Sequence, residues 1–247
     1  MACNEAGGTE QERGRQPVRP AACGRPGPEW RLPAGLAVIA AITLNGLLPD
    51  RLLAGPRLIF PVLGCLLFIP LLVANPRHMT RETPLLRALA VILVVLLIGA
   101  NSVSLGLLIR ALLLSDIQQG RLLLLGALQV WVTNIIAFGL AFWELDRGGA
   151  VARSNRRRED LPPADFRFSQ DEDADAAEEV AARSSQRSGW RPQFIDYLYI
   201  SVTNSTAFSP TDTMPLTARA KVLMSVQAIA AIIVNVLVIA RAVSILK

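Results

Sequence analysis

The chain has 247 residues, of which 52% are hydrophobic and 18% charged, and a formal net charge of +5. Its apolar residues fall in blocks of roughly twenty, the length that crosses a hydrocarbon core of about 30 Å, which points to an integral membrane protein and away from a soluble domain with one large core. The arginines lie in tails and loops beside those blocks, where they set topology, so the charge is no nucleic-acid signal. One histidine, His78, and three cysteines without CxxC spacing, Cys3, Cys23 and Cys65, leave no basis for a metal centre, a histidine-based triad or another cofactor.

Residues 1–31 are polar and rich in Pro and Gly, and read as a disordered tail with no signal-peptide core. Three apolar runs, 32–48, 58–74 and 88–109, predict a three-helix membrane bundle within 32–114, with Pro61 and Pro70 bending the second helix. The remaining unit, 115–247, begins with a fourth helix over 122–143. A hydrophilic segment over 144–192 follows; it opens basic (RSNRRRED), turns acidic (DEDADAAEE) and reads as a solvated, disordered loop. The last helix is predicted over 222–246. Asn45, Asn101 and Asn134 sit one to a span, as amides that bond between helices do.

Between the loop and the last helix lies YISVTNSTAFSPTDTMPLT, residues 199–217. A helix over 194–207 would be about 21 Å long at 1.5 Å per residue, short of a crossing. Pro210 then ends it, and the chain has to come back to start the last helix. The expectation is a re-entrant segment over 194–212. Non-helical backbone at membrane depth must be buried in protein or line water, and Thr203, Thr206, Ser209 and Thr211 supply hydroxyls for either. The helix C-terminus carries about half a negative charge, and Asp212 adds to a preference for cations. The fold class is therefore all-α: about five transmembrane helices plus one short helix of pore type before the last span.

The stretch SVTNSTAFSPTDTMP (201–215) resembles the pore loop of potassium channels, typified by SVTTMTTVGYGDIVP, without a gap. Ser201, Val202, Thr203 and Thr206 match the end of the pore helix; Asp212 and Pro215 match the aspartate and proline after the filter. The resemblance implies that the fourth helix is an outer helix, the last an inner helix, and the assembly a homotetramer. Ser209, Pro210 and Thr211 replace Gly-Tyr-Gly, and those residues resist the glycine conformations that turn successive carbonyls to one axis. The chain is also similar to uncharacterised bacterial membrane proteins.

In the last helix Gln227, Asn235 and Arg241 fall within an arc of about 120°, a polar stripe expected to face an aqueous axis, with Arg241 snorkelling to the interface. Arginine counts put the long loop in the cytoplasm, whereas a channel topology puts it outside. The expected function is a cation channel of weak selectivity in the cell membrane, with the bilayer, monovalent cations and further copies as partners. A non-conducting scaffold or partner subunit is the other reading. No span holds the base an intramembrane enzyme needs, so catalysis is not expected.

Overall fold

The computed structural model describes residues 29–245 apart from 54, 76–82, 115–119, 173–175 and 207–212. Four antiparallel helices come first: α1 (Leu32–Gly46), α2 (Ile59–Ala74), α3 (Pro84–Leu114) and α4 (Gly120–Leu145). Short helices α5 (Ala150–Asn155), α6 (Glu178–Ala181) and α7 (Ser185–Ser188) follow, with a strand β1 (Phe166–Phe168) among them. Then come α8 (Phe194–Ser205), a second strand β2 (Thr213–Pro215) and the long α9 (Ala218–Ile245).

Local chemistry sets several ends. Thr83 Oγ1 accepts the Leu86 N–H at 3.2 Å, and Pro84, which lacks the N–H that would otherwise be unpaired, opens α3 behind it. Arg31 Nη1 donates to the carbonyls of Leu71 and Asn75, placing a cation at the negative end of α2. Beyond α4, Arg147 sits at φ 50° and Gly148 and Gly149 at φ 83° and 94°; the two glycines reach this region without the Cβ penalty, and Arg147 is held there by its bonds.

Three helices are long and apolar enough to cross a membrane: Pro84–Leu112, Leu122–Gly148 and Ala218–Arg241. α1 and α2, at 15 and 16 residues, are shorter than the expected spans and below the usual crossing length of about 20. Outward faces are apolar, as lipid or a neighbouring chain requires: on α9, Val222, Val226, Ile229, Ile232, Val236, Ile239 and Val243 form one exposed stripe.

Two cores mark the two ends of the bundle. One gathers Leu48, Leu52, Leu108, Ala127, Val130 and Val234. The other gathers Ala34, Phe68, Leu97, Phe138, Phe142, Trp143, Phe194 and Tyr197, and reaches Phe166 and Phe168. The second end is roofed by a cap built from residues 146–192 and 213–217. Two expectations change here. The segment over 144–192, read as a disordered loop, forms this cap among its described residues. The tail ends earlier than 31, because Glu29 and Arg31 are buried in the fold; residues 1–28 lie outside the described residues. The physical reason is the same for both. Charge composition hides the pairing of individual charges, and Phe166, Phe168 and Trp190 give the cap an apolar root that packs edge-on against Phe142 and Tyr197.

Candidate functional site

The segment from α8 to β2 is held by the cap at both ends. At its start, the Asp196 carboxylate accepts the Gln193 N–H at 2.7 Å and Glu29 Oε1 accepts the Phe194 N–H at 2.9 Å. At its return, β2 pairs antiparallel with β1, Phe168 opposite Thr213 and Phe166 opposite Pro215. The Leu216 N–H then donates to the Asp165 carbonyl at 2.7 Å. α8 has 12 residues, hence a length of about 18 Å. It lies against α4 so closely that a Cβ on Gly139 would stand 3.3 Å from Leu198 Cα.

Asp146 organises the cap. It is 0% exposed at the end of α4. Its Oδ1 accepts the Asp165 and Phe166 N–H groups at 2.7 and 3.4 Å, and its Oδ2 accepts the Tyr197 hydroxyl at 2.5 Å. Arg147 Nη1 lies 3.5 Å from the same oxygen. One carboxylate thus joins α4, β1 and α8. Arg147 also donates to the Phe166 carbonyl and to Asp171. Arg153, 1% exposed, donates to the Trp143 and Asp146 carbonyls at 2.8 and 2.7 Å and lies over the Tyr197 ring. Asp165 takes Arg219 and the Thr217 hydroxyl from the start of α9.

Glu29 bridges the far side. Oε1 accepts Trp143 Nε1 at 2.7 Å as well as Phe194 N, and Oε2 lies 3.7 Å from Arg153. Burial is the largest influence and pushes its carboxyl above the ordinary value, against Arg153 and the two donors. A raised folded pKa means that this group contributes stability below the ordinary carboxylate value and loses it as pH rises through the raised one. Glu29→Gln keeps the Oε1 acceptor and removes that dependence. The Tm of wild type relative to this variant is expected to fall as pH rises above the ordinary carboxylate range, measured by thermal unfolding in detergent; parallel curves for the two proteins would count against the assignment.

The sequence-derived site residues divide into three groups. Ser209, Thr211 and Asp212 lie outside the described residues. Thr203 and Thr206 are on α8 and in the residue just after it, and their hydroxyls donate to carbonyls one turn back: Tyr199 and Ile200 for Thr203, Val202 and Thr203 for Thr206. Gln227 and Asn235 are on α9. Asn235 is half-buried, whereas Gln227 is 0% exposed and faces α8. Its Nε2 donates to the Ser201 carbonyl, the Ser201 hydroxyl and the Ser205 hydroxyl at 3.0, 2.5 and 2.8 Å; its Oε1 accepts Asn204 Nδ2 at 2.9 Å. Ser201 in turn donates to the Ile135 carbonyl of α4 at 2.6 Å. The structure therefore brings Gln227 together with Ser201, Asn204 and Ser205, in a bonded contact between helices. Asn101 and Asn134 meet as expected, Nδ2 to Oδ1 at 3.3 Å.

Sequence reasoning missed the cap residues Glu29, Asp146, Asp165 and Arg153. Two signals were available: the Asp-Arg-Gly-Gly turn closing α4, and the alternation Phe-Arg-Phe at 166–168, the period of a strand with one buried face. No group of three or more His, Cys, Asp or Glu side chains could hold a metal among the described residues. No family model, curated protein or solved structure matches the chain.

Proposed function

We propose that the protein is a multi-pass protein of the cell membrane, with about five spans and a pore-type re-entrant segment, that passes cations along an axis shared by several copies. The observation that carries this reading is the double anchoring of residues 194–215. α8 leaves the cap, stops after about 18 Å, and the chain is back at the cap by Thr213. In that arrangement α4 and α9 are the outer and inner helices, and Ser209, Thr211 and Asp212 are the hydroxyl and carboxylate groups that the sequence places between α8 and β2. The C-terminal end of α8 carries a partial negative charge, which favours a cation near it. The unbroken apolar stripe on α9 and the exposed Ile195, Tyr199 and Val202 on α8 suit packing against further copies, four in the arrangement that the sequence resemblance implies.

Purified protein in planar bilayers is expected to give cation currents. Asp212→Asn is expected to lower unitary conductance about two-fold or more, most strongly at low salt, because the carboxylate concentrates cations at the mouth. Silent bilayers from folded, oligomeric protein would overturn conduction. The second reading, a non-conducting scaffold, is favoured by one observation: Gln227, Ser201 and Ser205 spend their polar groups on each other rather than on water. Folded protein that is monomeric in native mass measurement and passes no ions would decide for it.

A further inference from the structure

The cap holds an open cavity of about 310 Å³ between β1 and the segment that leads into α8. Arg147, Arg153, Arg158, Arg167 and Arg191 line it, with Asp171 as the acidic side chain among its walls and Trp190 beside them. Four of these arginines have carboxylate neighbours: Asp146 and Asp171 for Arg147, Glu29 for Arg153, Asp171 for Arg158 and Glu172 for Arg167. Arg191 pairs with no carboxylate among the described residues. Its Nη2 donates to the Arg156 carbonyl at 2.9 Å, and its Nη1 is buried without a hydrogen-bond partner. Burial and the neighbouring Arg158 cation both lower its pKa. A guanidinium kept beside another cation and paired with no carboxylate is an incomplete ion pair, which an oxyanion in the cavity would neutralise.

We propose that this cavity is a binding site for a small oxyanion of phosphate type, free or as a lipid headgroup, with Arg191 and Arg158 as its principal donors. Planar guanidiniums meet tetrahedral phosphate oxygens with two parallel bonds, and Arg158 is already turned into the cavity by Asp171, at 2.5 Å, and the Trp190 carbonyl. Trp190, packed edge-on to Phe168, forms part of the wall. Occupancy would tie β1 to the lead-in of α8, so the anion bears on the position of α8. The site needs no ion conduction and stands apart from that reading.

The test is thermal unfolding of the purified full-length protein in detergent, titrated with sodium phosphate or with sodium chloride at matched ionic strength. Phosphate is expected to raise Tm saturably, by about 3–5 °C, and chloride is not. Arg191→Gln is expected to weaken the phosphate response at least ten-fold while leaving the anion-free Tm unchanged or higher, since repulsion from Arg158 is relieved; Arg191→Lys should fall between. Arg183→Gln, an exposed change elsewhere on the cap, should titrate as wild type. In nanodiscs of phosphatidylcholine with or without phosphatidic acid, a rise on adding the anionic lipid that Arg191→Gln abolishes assigns the site to a headgroup. A response to free phosphate alone assigns it to a solute. A phosphate rise that Arg191→Gln leaves intact, or one that chloride reproduces, overturns the proposal. A drop in the anion-free Tm of Arg191→Gln would make Arg191 a structural prop instead.

Discussion

Replacing Asp146 by alanine should be the most damaging single change in the cap, at about 3–5 kcal/mol, the usual cost of breaking a buried charged pair from one side. For a chain of this size that corresponds to a fall in Tm of about 10 °C, read by circular dichroism in detergent. Three protein donors lose their acceptor at once: the Tyr197 hydroxyl and the Asp165 and Phe166 N–H groups. Arg147 keeps Asp171 but loses the more deeply buried of its two partners and stays in a backbone conformation that only its bonds justify. Asp146→Asn retains an oxygen for the two N–H groups and should cost about half as much. Tyr197→Phe removes one bond and should cost about 1–2 kcal/mol. The order alanine, asparagine, then Tyr197→Phe is as informative as the size, because a merely solvated surface aspartate would leave all three near wild type. Since β1 carries β2, and β2 returns the chain after α8, loss of Asp146 is also expected to abolish any current that folded wild type gives.

The apolar helices were legible in the sequence because each announces itself locally. Every block of the required length became a helix whose ends shifted by a few residues, as at α9, which starts at Ala218 rather than Val222. The end of α8 was legible too, since its polar run and Pro210 lie side by side in the chain. The cap was not, because its bonds join distant positions: Glu29 reaches Phe194 across 165 residues and Asp146 reaches Tyr197 across 51. Composition records how many charges of each sign a segment holds, and 144–192 holds many. It does not record that Asp146, Asp165 and Asp171 each meet an arginine at short range. A segment that cannot bury apolar surface by itself can still fold on a roof of aromatic side chains supplied by α4 and α8.

Gln227 shows the second limit of periodicity, and it supports the second large prediction. Spacing alone put Gln227, Asn235 and Arg241 on one arc of α9, but an arc has no label saying what covers it. At Gln227 the cover is α8, whose Ser201, Asn204 and Ser205 stand at i, i+3 and i+4, the spacing of one helix face. Gln227→Leu fills a similar volume and removes every one of these bonds. Asn204 keeps the Met224 carbonyl at 2.9 Å, and the serine hydroxyls can turn to carbonyls of their own helix, so the loss is softened to about 2 kcal/mol. Gln227→Ala adds a cavity and should cost about 3 kcal/mol. Gln227→Glu should be the worst of the three, since it replaces the donor to the Ser201 carbonyl by a buried charge with no cation near it in the contact. A double-mutant cycle with Ser201→Ala is expected to show coupling of about 1 kcal/mol. The alternative, Gln227 on a water-filled axis, gives the opposite pattern: Gln227→Leu would leave Tm within a degree or two of wild type and change conductance instead. Stability lost with coupling to Ser201 places the residue in the joint that holds α8 against α9, and takes the Gln227 face of α9 out of any ion path.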